Sequence, residues 1–368
     1  MIRFDGVTKR FEDGTVAVDD LSFEAPAGKI TVLVGPSGCG KTTSLRMINR
    51  MIEPSEGSIL IDGTDTGSLA PAELRRGIGY VIQHAGLFPH RTVLSNVMTV
   101  PSLLKWDKKR ARDRALEVLE LVGLGGDYAK RYPGQLSGGQ QQRVGVARAL
   151  AGDPSVMLMD EPFSAIDPVV REGLQDEFLK LQEALGTTIV MVTHDIDEAI
   201  KLGDRIAVLR QGGRLAQFSS PDDLLAHPAD DFVASFVGRD RGYRALSFKT
   251  AEVPIHHEAP VRLGDRLGPG EEWRLVVDDA GAPLGWVHAD EVTGPLSATD
   301  LQLGGTLATL GGSLRGYLDA ALSSPSGRGV VVEGAELAGT VRPDEVLHVI
   351  QAAPRATGET ILSPEEPA

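Results

Sequence analysis

Three features are scarce in this sequence, and each scarcity excludes a class of protein. Cys39 is the only cysteine among 368 residues, which excludes an internal disulfide and a metal cluster built from several cysteines. No apolar run approaches the ~18 residues that a membrane-spanning helix needs, and no charged stretch followed by an apolar one marks a secretory signal. The net charge of −14, without basic blocks, disfavours binding to nucleic acid. We therefore expect a cytosolic protein.

Acidic charge is concentrated in the C-terminal third of the chain. Residues 251–368 contain 18 Asp and Glu against seven Arg and no Lys, a net charge of −11, whereas the rest of the chain is nearly balanced. The length allows about two domains of ~150 residues, and the charge asymmetry indicates two separately built parts. At 238–242 the alternation of strand-like and helix-like runs gives way to short strands and Gly/Pro turns. We predict one domain at 1–240 and a second at 245–356.

The most informative stretch is a glycine-rich loop that fits the phosphate-binding pattern G-x-x-x-x-G-K-[ST]. A strand candidate, Ile30–Val34, precedes it and a helix-capable run follows, which is the context that the pattern requires. The glycines allow main-chain N–H groups to surround a phosphate, and the helix N-terminus adds positive partial charge. The alternative is a glycine-rich turn that happens to contain a lysine. The predicted phosphate-contacting residues are Gly35, Pro36, Ser37, Gly38, Cys39, Gly40, Lys41, Thr42 and Thr43.

Side chains suited to phosphate groups and Mg²⁺ occur in this loop and after a later strand. Lys41 is expected to reach the β- and γ-phosphates, and the Thr42 hydroxyl to bind Mg²⁺. The apolar run 156–159 is followed by Asp160, predicted to hold Mg²⁺ through water, and by Glu161, predicted to act as general base on the attacking water. Solvated charges at a strand end are the alternative.

The alternation of strands and helices in residues 1–240 predicts an α/β fold with a parallel sheet covered by helices. Between about 90 and 150 the pattern is helical, and Arg110–Val122 has one apolar face, which we interpret as a packing helix. The predicted strands are Lys29–Gly35, Ile78–Gln83, Val156–Asp160, Thr188–Thr193 and Arg205–Arg210.

The C-terminal part contains a weak internal repeat with a period of about 55 residues. In each copy a strand, a tight turn and a second strand precede a polar segment with helix potential. The first copy, roughly 246–295, lacks a clear leading helix, so we expect it to be degenerate. The tail at 357–368 is rich in Pro and Glu and is predicted to be disordered. The paired strands are Trp273–Asp279 with Leu284–His288, and Arg328–Gly334 with Leu337–Val341.

A second anion site is predicted at residues 136–140, Leu-Ser-Gly-Gly-Gln, where two glycines open onto a helix that Ser137 can cap. With this segment, six elements resemble the ATP-binding-cassette (ABC) ATPases over residues 1–240. The resemblance implies a P-loop NTPase cassette, with a parallel-sheet core and a helical subdomain at about 90–150. In chain order the elements are the phosphate loop, Gln83, the 136–140 segment, Asp160-Glu161, Ser164–Asp167 and His194.

The resemblance also implies roles for individual residues. Two copies pair head to tail around two ATP molecules, each between the phosphate loop of one copy and the 136–140 segment of the other. Phe11 stands where the family stacks an aromatic ring on adenine, and the alternative is a core aromatic. The implied catalytic residues are Glu161, His194, Gln83 and Lys41; the implied Mg²⁺ ligands are Thr42, Gln83 and Asp160; and the implied contacts across the dimer are Ser137, Gly138, Gly139, Gln140 and Asp167.

Four segments resemble more narrowly the ATPases of glycine betaine and other quaternary-amine osmoprotectant importers. The implied cargo is glycine betaine, choline or carnitine; another small solute such as an amino acid, or a soluble non-transport ABC ATPase, is the alternative. The implied partners are membrane permease subunits, an extracytoplasmic substrate-binding protein and a second copy, at the cytoplasmic face of the plasma (inner) membrane. The segments are Ile48–Pro54, Val81–His90, Ala165–Glu172 and Phe236–Gly242.

Members of this family often carry a C-terminal pair of CBS units, and the repeat within 245–356 resembles such a pair. The resemblance implies a small α/β regulatory domain that responds to a small nucleotide or to ionic strength. The alternative is a packing or dimerising module.

Overall fold

The computed structural model describes residues 1–83, 86–164, 166–268 and 272–352. The chain divides into two compact units, Met1–Arg239 (unit 1) and Asp240–Ala368 (unit 2). The tail predicted to be disordered, 357–368, lies outside the described residues. Among the described residues no helix is both long enough and apolar enough to span a bilayer.

Unit 1 contains a six-stranded and a four-stranded sheet. Its strands are β1 (Ile2–Arg10), β2 (Val16–Ala25), β3 (Ile30–Val34), β4 (Glu56–Ile61), β5 (Thr64–Asp65), β6 (Ile78–Val81), β7 (Val156–Asp160), β8 (Thr188–Val192), β9 (Arg205–Leu209) and β10 (Leu215–Ser219). The larger sheet has the order β10-β9-β3-β8-β7-β6 and is parallel except for β10. Every residue of β3, β7 and β8 is buried, as in parallel sheets covered on both faces. The five predicted strands are confirmed as β3, β6, β7, β8 and β9.

The helices of unit 1 include the packing helix that the sequence predicts at 110–122, which is confirmed as α5. Ala111, Ala115, Val118 and Leu119 are its buried residues. Asp107 caps its start by accepting from the N–H groups of Lys109 and Arg110. The helices are α1 (Lys41–Ile48), α2 (Pro71–Arg76), α3 (Val93–Val97), α4 (Thr99–Leu103), α5 (Lys108–Leu121), α6 (Gly138–Leu150), α7 (Pro168–Leu185), α8 (Ile196–Leu202), α9 (Pro221–Ala226) and α10 (Asp231–Val237).

The antiparallel sheet of unit 1, with the order β2-β1-β4-β5, is absent from the sequence-based prediction. Phe4 on β1 and Phe23 on β2 stack in its core with ring centroids 4.6 Å apart. The register of β1 shifts at several points along β2 and once along β4. These irregularities break the apolar-polar alternation by which a half-buried strand is recognised.

Unit 2 contains two three-stranded sheets of the same design. Its strands are β11 (Val261–Arg262), β12 (Trp273–Val277), β13 (Pro283–His288), β14 (Ala308–Thr309), β15 (Gly329–Glu333) and β16 (Glu336–Val341), and its helices are α11 (Arg241–Ala245), α12 (Leu314–Ser323) and α13 (Pro343–Ala352). In each sheet a short first strand pairs in parallel with the second, which pairs antiparallel with the third. The second copy has α12 and α13, whereas a 3₁₀ turn at Ala289–Glu291 follows β13 in the first.

The two copies are interlocked at their ends. His256, before β11, bridges to Thr340 on β16, and Gln302, before β14, bridges to Trp286 on β13. Each copy therefore supplies an entering segment to the last strand of the other. A shared apolar cluster that includes Leu275, Trp286, Val330 and Val332 joins the two sheets.

Candidate nucleotide site

The phosphate loop lies between β3 and α1, in a conformation that glycine alone permits at two points. Gly35 has φ +151° and Gly40 has φ +97°. An added Cβ at Gly35 would overlap the carbonyl oxygen of Leu209, and one at Gly40 that of Ala17. Because both obstacles are main-chain atoms, neither position can accept a side chain without moving the sheet. The loop therefore packs closely against the neighbouring strands, which fixes the main-chain N–H groups expected to bind phosphate.

Lys41 begins α1 and is folded against the loop. Its Nζ donates hydrogen bonds to the carbonyl oxygens of Gly35 at 2.7 Å and Pro36 at 3.1 Å, and the residue is 7% exposed. Cys39 is fully buried, and burial raises the pKa of its thiol. Cys39 is therefore a small neutral packing residue, whereas Lys41 places a buried positive charge at the loop. Thr43 is half-buried in the first turn of α1.

Asp160 ends β7 beside the start of α1. Its Oδ1 accepts a hydrogen bond from Thr42 Oγ1 at 3.1 Å, and its Oδ2 lies 3.6 Å from Arg46 Nη2. Asp160 is 7% exposed. The structure thus brings together the hydroxyl and the carboxylate that the sequence assigns to one metal ion.

Glu161, Gln83 and His194 converge next to Asp160. Gln83 Nε2 donates to Glu161 Oε2 at 3.0 Å, and His194 Nδ1 lies 3.3 Å from the same oxygen. They follow β6, β7 and β8, which are neighbours in the sheet, so their side chains meet at one edge. Glu161 has φ +48°, an uncommon conformation for a residue with a side chain, and its N–H donates to Val192 O at 3.0 Å. The main chain at the proposed base is therefore held in a strained form.

The 136–140 segment forms a helix start of its own. Ser137 Oγ accepts from Gln140 N at 3.3 Å, and Gln140 Oε1 accepts from Ser137 N at 3.0 Å, which is a capping box. Ser137 and Gly138 are exposed, and Gln140 Nε2 donates to Tyr128 OH at 3.3 Å. The hydrogen bonds of Ser137 and Gln140 are thus local, and within one copy they do not join this segment to the phosphate loop.

Asp167 and Phe11 are both exposed. The carbonyl oxygen of Asp167 accepts from the N–H groups of Val170 and Arg171 where α7 begins. Phe11 lies in the turn between β1 and β2, is 40% exposed, and has Lys9 Nζ 5.2 Å from its ring centroid. The alternative that Phe11 is a core aromatic is therefore wrong. An exposed ring beside a cation leaves one face for an adenine.

Two residues near the site, Arg46 and Ser164, were given no role in the sequence analysis. Arg46 lies one turn after Thr42 on α1 and supplies positive charge near Asp160. Ser164 Oγ lies 3.5 Å from Gln83 Nε2 and donates to Glu161 O at 3.0 Å, so it supports the turn that carries the carboxylate. The i,i+4 spacing of Thr42 and Arg46 on a predicted helix was the available signal for Arg46.

The loop, the strand end and the separate capped helix start together define one half of a nucleotide-binding cassette ATPase. A family model described as "ABC transporter" matches residues 18–164. The osmoprotectant import ATP-binding protein OsmV of Salmonella typhimurium is 48% identical over 306 residues, with 79% of this chain and 80% of that protein covered. The chain therefore belongs to the ABC transporter ATP-binding proteins.

Two further comparisons agree with this family. The choline transport ATP-binding protein OpuBA of Bacillus subtilis is 53% identical over 301 residues, with 79% of each chain covered. Among solved structures, the dimeric post-hydrolysis state of the cassette MJ0796 bound to ADP and Pi is 37% identical, with a TM-score of 0.54, over 60% of this chain and 99% of that one. The predicted ABC cassette fold is confirmed.

Proposed function

We propose that this chain is the ATP-hydrolysing subunit of an ABC importer that takes up an osmoprotectant such as glycine betaine, choline or carnitine. The supporting observation is the extent of the likeness: it covers 79% of the chain, more than unit 1 alone, in relatives named for osmoprotectant import and choline transport. A cassette of unrelated use would share the nucleotide site but not residues in unit 2.

ATP is the proposed substrate, held by a dimer of this chain. Residues 35–43 surround the phosphates with main-chain N–H groups and the Lys41 amine, and Phe11 stacks on the adenine. Ser137, Gly138, Gly139 and Gln140 of a second copy contact the phosphates from the other side, with Asp167 at the interface. The exposed helix start supports this arrangement, because the capping box uses the N–H groups of Ser137 and Gln140 but not those of Gly138 and Gly139.

The proposed Mg²⁺ ligands are Thr42 and Asp160, with Gln83. A hydroxyl, a carboxylate and an amide oxygen are hard donors that suit this cation, and the first two already lie 3.1 Å apart. Bound Mg²⁺ would neutralise charge on the phosphates. Gln83 Nε2 bonds to Glu161, which leaves the amide oxygen as its available ligand atom.

Glu161 is the proposed general base. Its Oε2 would accept the proton of the attacking water, and Gln83 and His194 fix the position of that oxygen. The side chain of His194 is 64% exposed, which leaves it accessible for the proposed contact with the γ-phosphate. Lys41 stabilises the charge that develops on the transferred phosphate.

A permease subunit is the proposed membrane partner, with the surface at Leu87 and Phe88 as its docking site. Phe88 is 39% exposed, and its main chain is fixed at both ends by Asn96, which accepts from Phe88 N at 2.7 Å and donates to Phe88 O at 3.2 Å. Arg91 lies over its ring at 4.8 Å. An exposed aromatic on a rigid frame suits a protein interface. The complex would include a substrate-binding protein and lie at the cytoplasmic face of the membrane.

Unit 2 is the proposed regulatory part, a pair of CBS-like repeats. The interlocked sheets and their shared cluster support two halves of one module. A small nucleotide or ionic strength is the proposed signal.

Uptake in a deletion strain tests the proposed cargo. Loss of uptake of labelled glycine betaine, choline or carnitine, restored by the wild-type chain and not by Glu161→Gln, is the expected result. Retained uptake of all three, with loss of amino-acid uptake, would reassign the cargo. Co-purification with ribosomes rather than a permease would reassign the chain to the soluble ABC ATPases.

A further inference from the structure

Glu198 is a buried carboxyl group to which the roles above give no part. It lies on α8, four residues after His194, and is 6% exposed. Burial raises the pKa of this carboxyl group, while the hydrogen bond with Thr193 opposes the shift. A buried carboxyl group needs polar partners to offset its lost hydration. The partners of Glu198 belong to elements that carry the nucleotide site.

The first partner is Thr193, the residue before His194. Its hydroxyl donates to Glu198 Oε2 and accepts from Asp195 N at 3.1 Å. Thr193 is 1% exposed, and its N–H donates to Leu33 O at 3.2 Å, near the end of the strand that enters the phosphate loop. The main chain is therefore fixed on both sides of His194, whose own ring is mostly exposed. Because the ring has few contacts, its position depends on that main chain.

The second set of partners lies on α7. Gln175, also 6% exposed, donates from Nε2 to Glu198 Oε1 at 3.4 Å. Burial is the largest influence on the pKa of Glu198, and the positive charge of Arg171 opposes it. Arg171 Nη2 also donates to Ile166 O at 2.9 Å, directly before Asp167. One carboxyl group thus faces both the segment that holds His194 and the helix that Asp167 begins.

We propose that Glu198 is a positioning residue for ATP hydrolysis, which holds the main chain at His194 and keeps it in register with the start of α7 at Asp167. Loss of the carboxyl group removes one of the hydrogen bonds that hold the Thr193 hydroxyl, and the imidazole of His194 then samples orientations away from Glu161. This inference rests on the role proposed for His194. The alternative is that Glu198 only stabilises the packing of α7 against α8.

Replacement of Glu198 in the full-length chain provides the test. Glu198→Leu removes both hydrogen bonds, and kcat for phosphate release is expected to fall by roughly tenfold to a hundredfold, because small displacements of a reacting group have effects of that size. KM for ATP is expected to change by less than about threefold, since the phosphate loop is intact. Glu198→Gln keeps an oxygen acceptor for Thr193 and is expected to retain most of kcat.

Two more variants keep the test decisive. Thr193→Val removes the hydroxyl with little change of shape and should reproduce the loss of kcat, even where Glu198→Leu fails to fold. Asp176→Asn is the matched control: Asp176 pairs with Lys201 at 2.7 Å and joins the same two helices at the surface. An exposed pair contributes little, so kcat should be unchanged.

A double-mutant cycle separates positioning from packing. If Glu198 acts through His194, Glu198→Leu should lower kcat much less in a His194→Ala background than in the wild type. Equal losses in the two backgrounds, or a normal kcat in both Glu198→Leu and Thr193→Val, would overturn the positioning role while leaving the proposed function intact. A normal kcat in His194→Ala alone would instead remove the proposed role of His194, and this inference with it.

Discussion

Both units have glycines at positive φ where the main chain passes close to a neighbouring segment, but the neighbouring segments serve different functions in the two units. In unit 1, Gly35 and Gly40 allow the phosphate loop to lie close to the carbonyl oxygens of Leu209 and Ala17, and this loop is the proposed phosphate site. In unit 2, Gly285 and Gly339 have φ +152° and +153° and admit the entering segment of the other repeat. The same local signal therefore marks a binding loop in one unit and a strand junction in the other.

The two units differ in the polar side chains near these glycines, and those side chains, not the glycines, indicate where the chemistry is carried out. The glycine loop of unit 1 is accompanied by a buried lysine, a buried aspartate and a glutamate with two side-chain partners. The glycines of unit 2 instead lie against main chain of the other repeat, and Gly285 adjoins Trp286 of the shared apolar cluster. Chemistry is thus expected to depend on unit 1 alone, which the next variants test.

Glu161→Gln is expected to have the largest effect. The amide cannot accept the proton of water, so steady-state ATP hydrolysis should fall by about 10²-fold or more. ATP binding should persist, because the phosphate loop and Asp160 are unchanged, and ATP should trap a dimer visible by size-exclusion chromatography. Near-normal turnover would place the base on another residue.

Lys41→Ala should weaken ATP binding itself. The variant removes a buried positive charge from the phosphate cradle, and a charged hydrogen bond contributes about 1.5–3 kcal/mol, equivalent to a ten- to hundredfold rise in the Kd for ATP. Titration with a fluorescent ATP analogue measures it. An unchanged Kd would mean that Lys41 acts only on the loop carbonyls to which it bonds.

Gly339→Ala should destabilise unit 2 and leave unit 1 active. A Cβ at Gly339 would lie 2.6 Å from His256 O, and its φ of +153° is unfavourable for alanine. We expect a loss of about 2–4 kcal/mol in the free energy of unfolding of unit 2, with ATP hydrolysis unchanged. Gly316→Ala is the control, since Gly316 lies in α12 with only a side-chain oxygen nearby at 3.5 Å. Equal destabilisation by both would contradict the junction role of Gly339.

Removal of unit 2 should have the smallest effect on hydrolysis and the clearest on regulation. Residues 1–239 contain all the proposed catalytic groups, so kcat with the permease should stay within about twofold of the full chain. Residues 251–368 carry −11 of the net −14, and exposed charges are screened by salt, so the transport response to ionic strength should flatten. The test is a salt titration of both transporters in vesicles. Identical curves would reduce unit 2 to a structural addition.

The five parallel strands of the six-stranded sheet were predicted within one or two residues at each end, because buried parallel strands are continuous apolar runs, whereas the antiparallel strand β10 was not predicted. The structure brings together Thr42 with Asp160, and Gln83 and His194 with Glu161, as the sequence led us to expect, because the chemistry of phosphate and Mg²⁺ restricts residue types; Arg46 and Ser164 were not assigned roles. The antiparallel sheet was missed because the register of β1 shifts. The burial of Glu198 was not predictable, because α8 is short and the partners of Glu198 on α7 lie more than 20 residues away in the chain. Local patterns carry no information on such pairings.

In unit 2, the segment before β11 pairs with β16 and the segment before β14 pairs with β13, so the two repeats form a single folding unit. Cutting the chain between them would expose an unpaired strand edge on each half, at β13 and β16, and exposed edges invite association with other chains. The bridge at His256–Thr340 closes a long loop, and such non-local pairings form slowly. The sheet of the first repeat is therefore needed to complete the pairing of the second, although only a 3₁₀ turn follows β13.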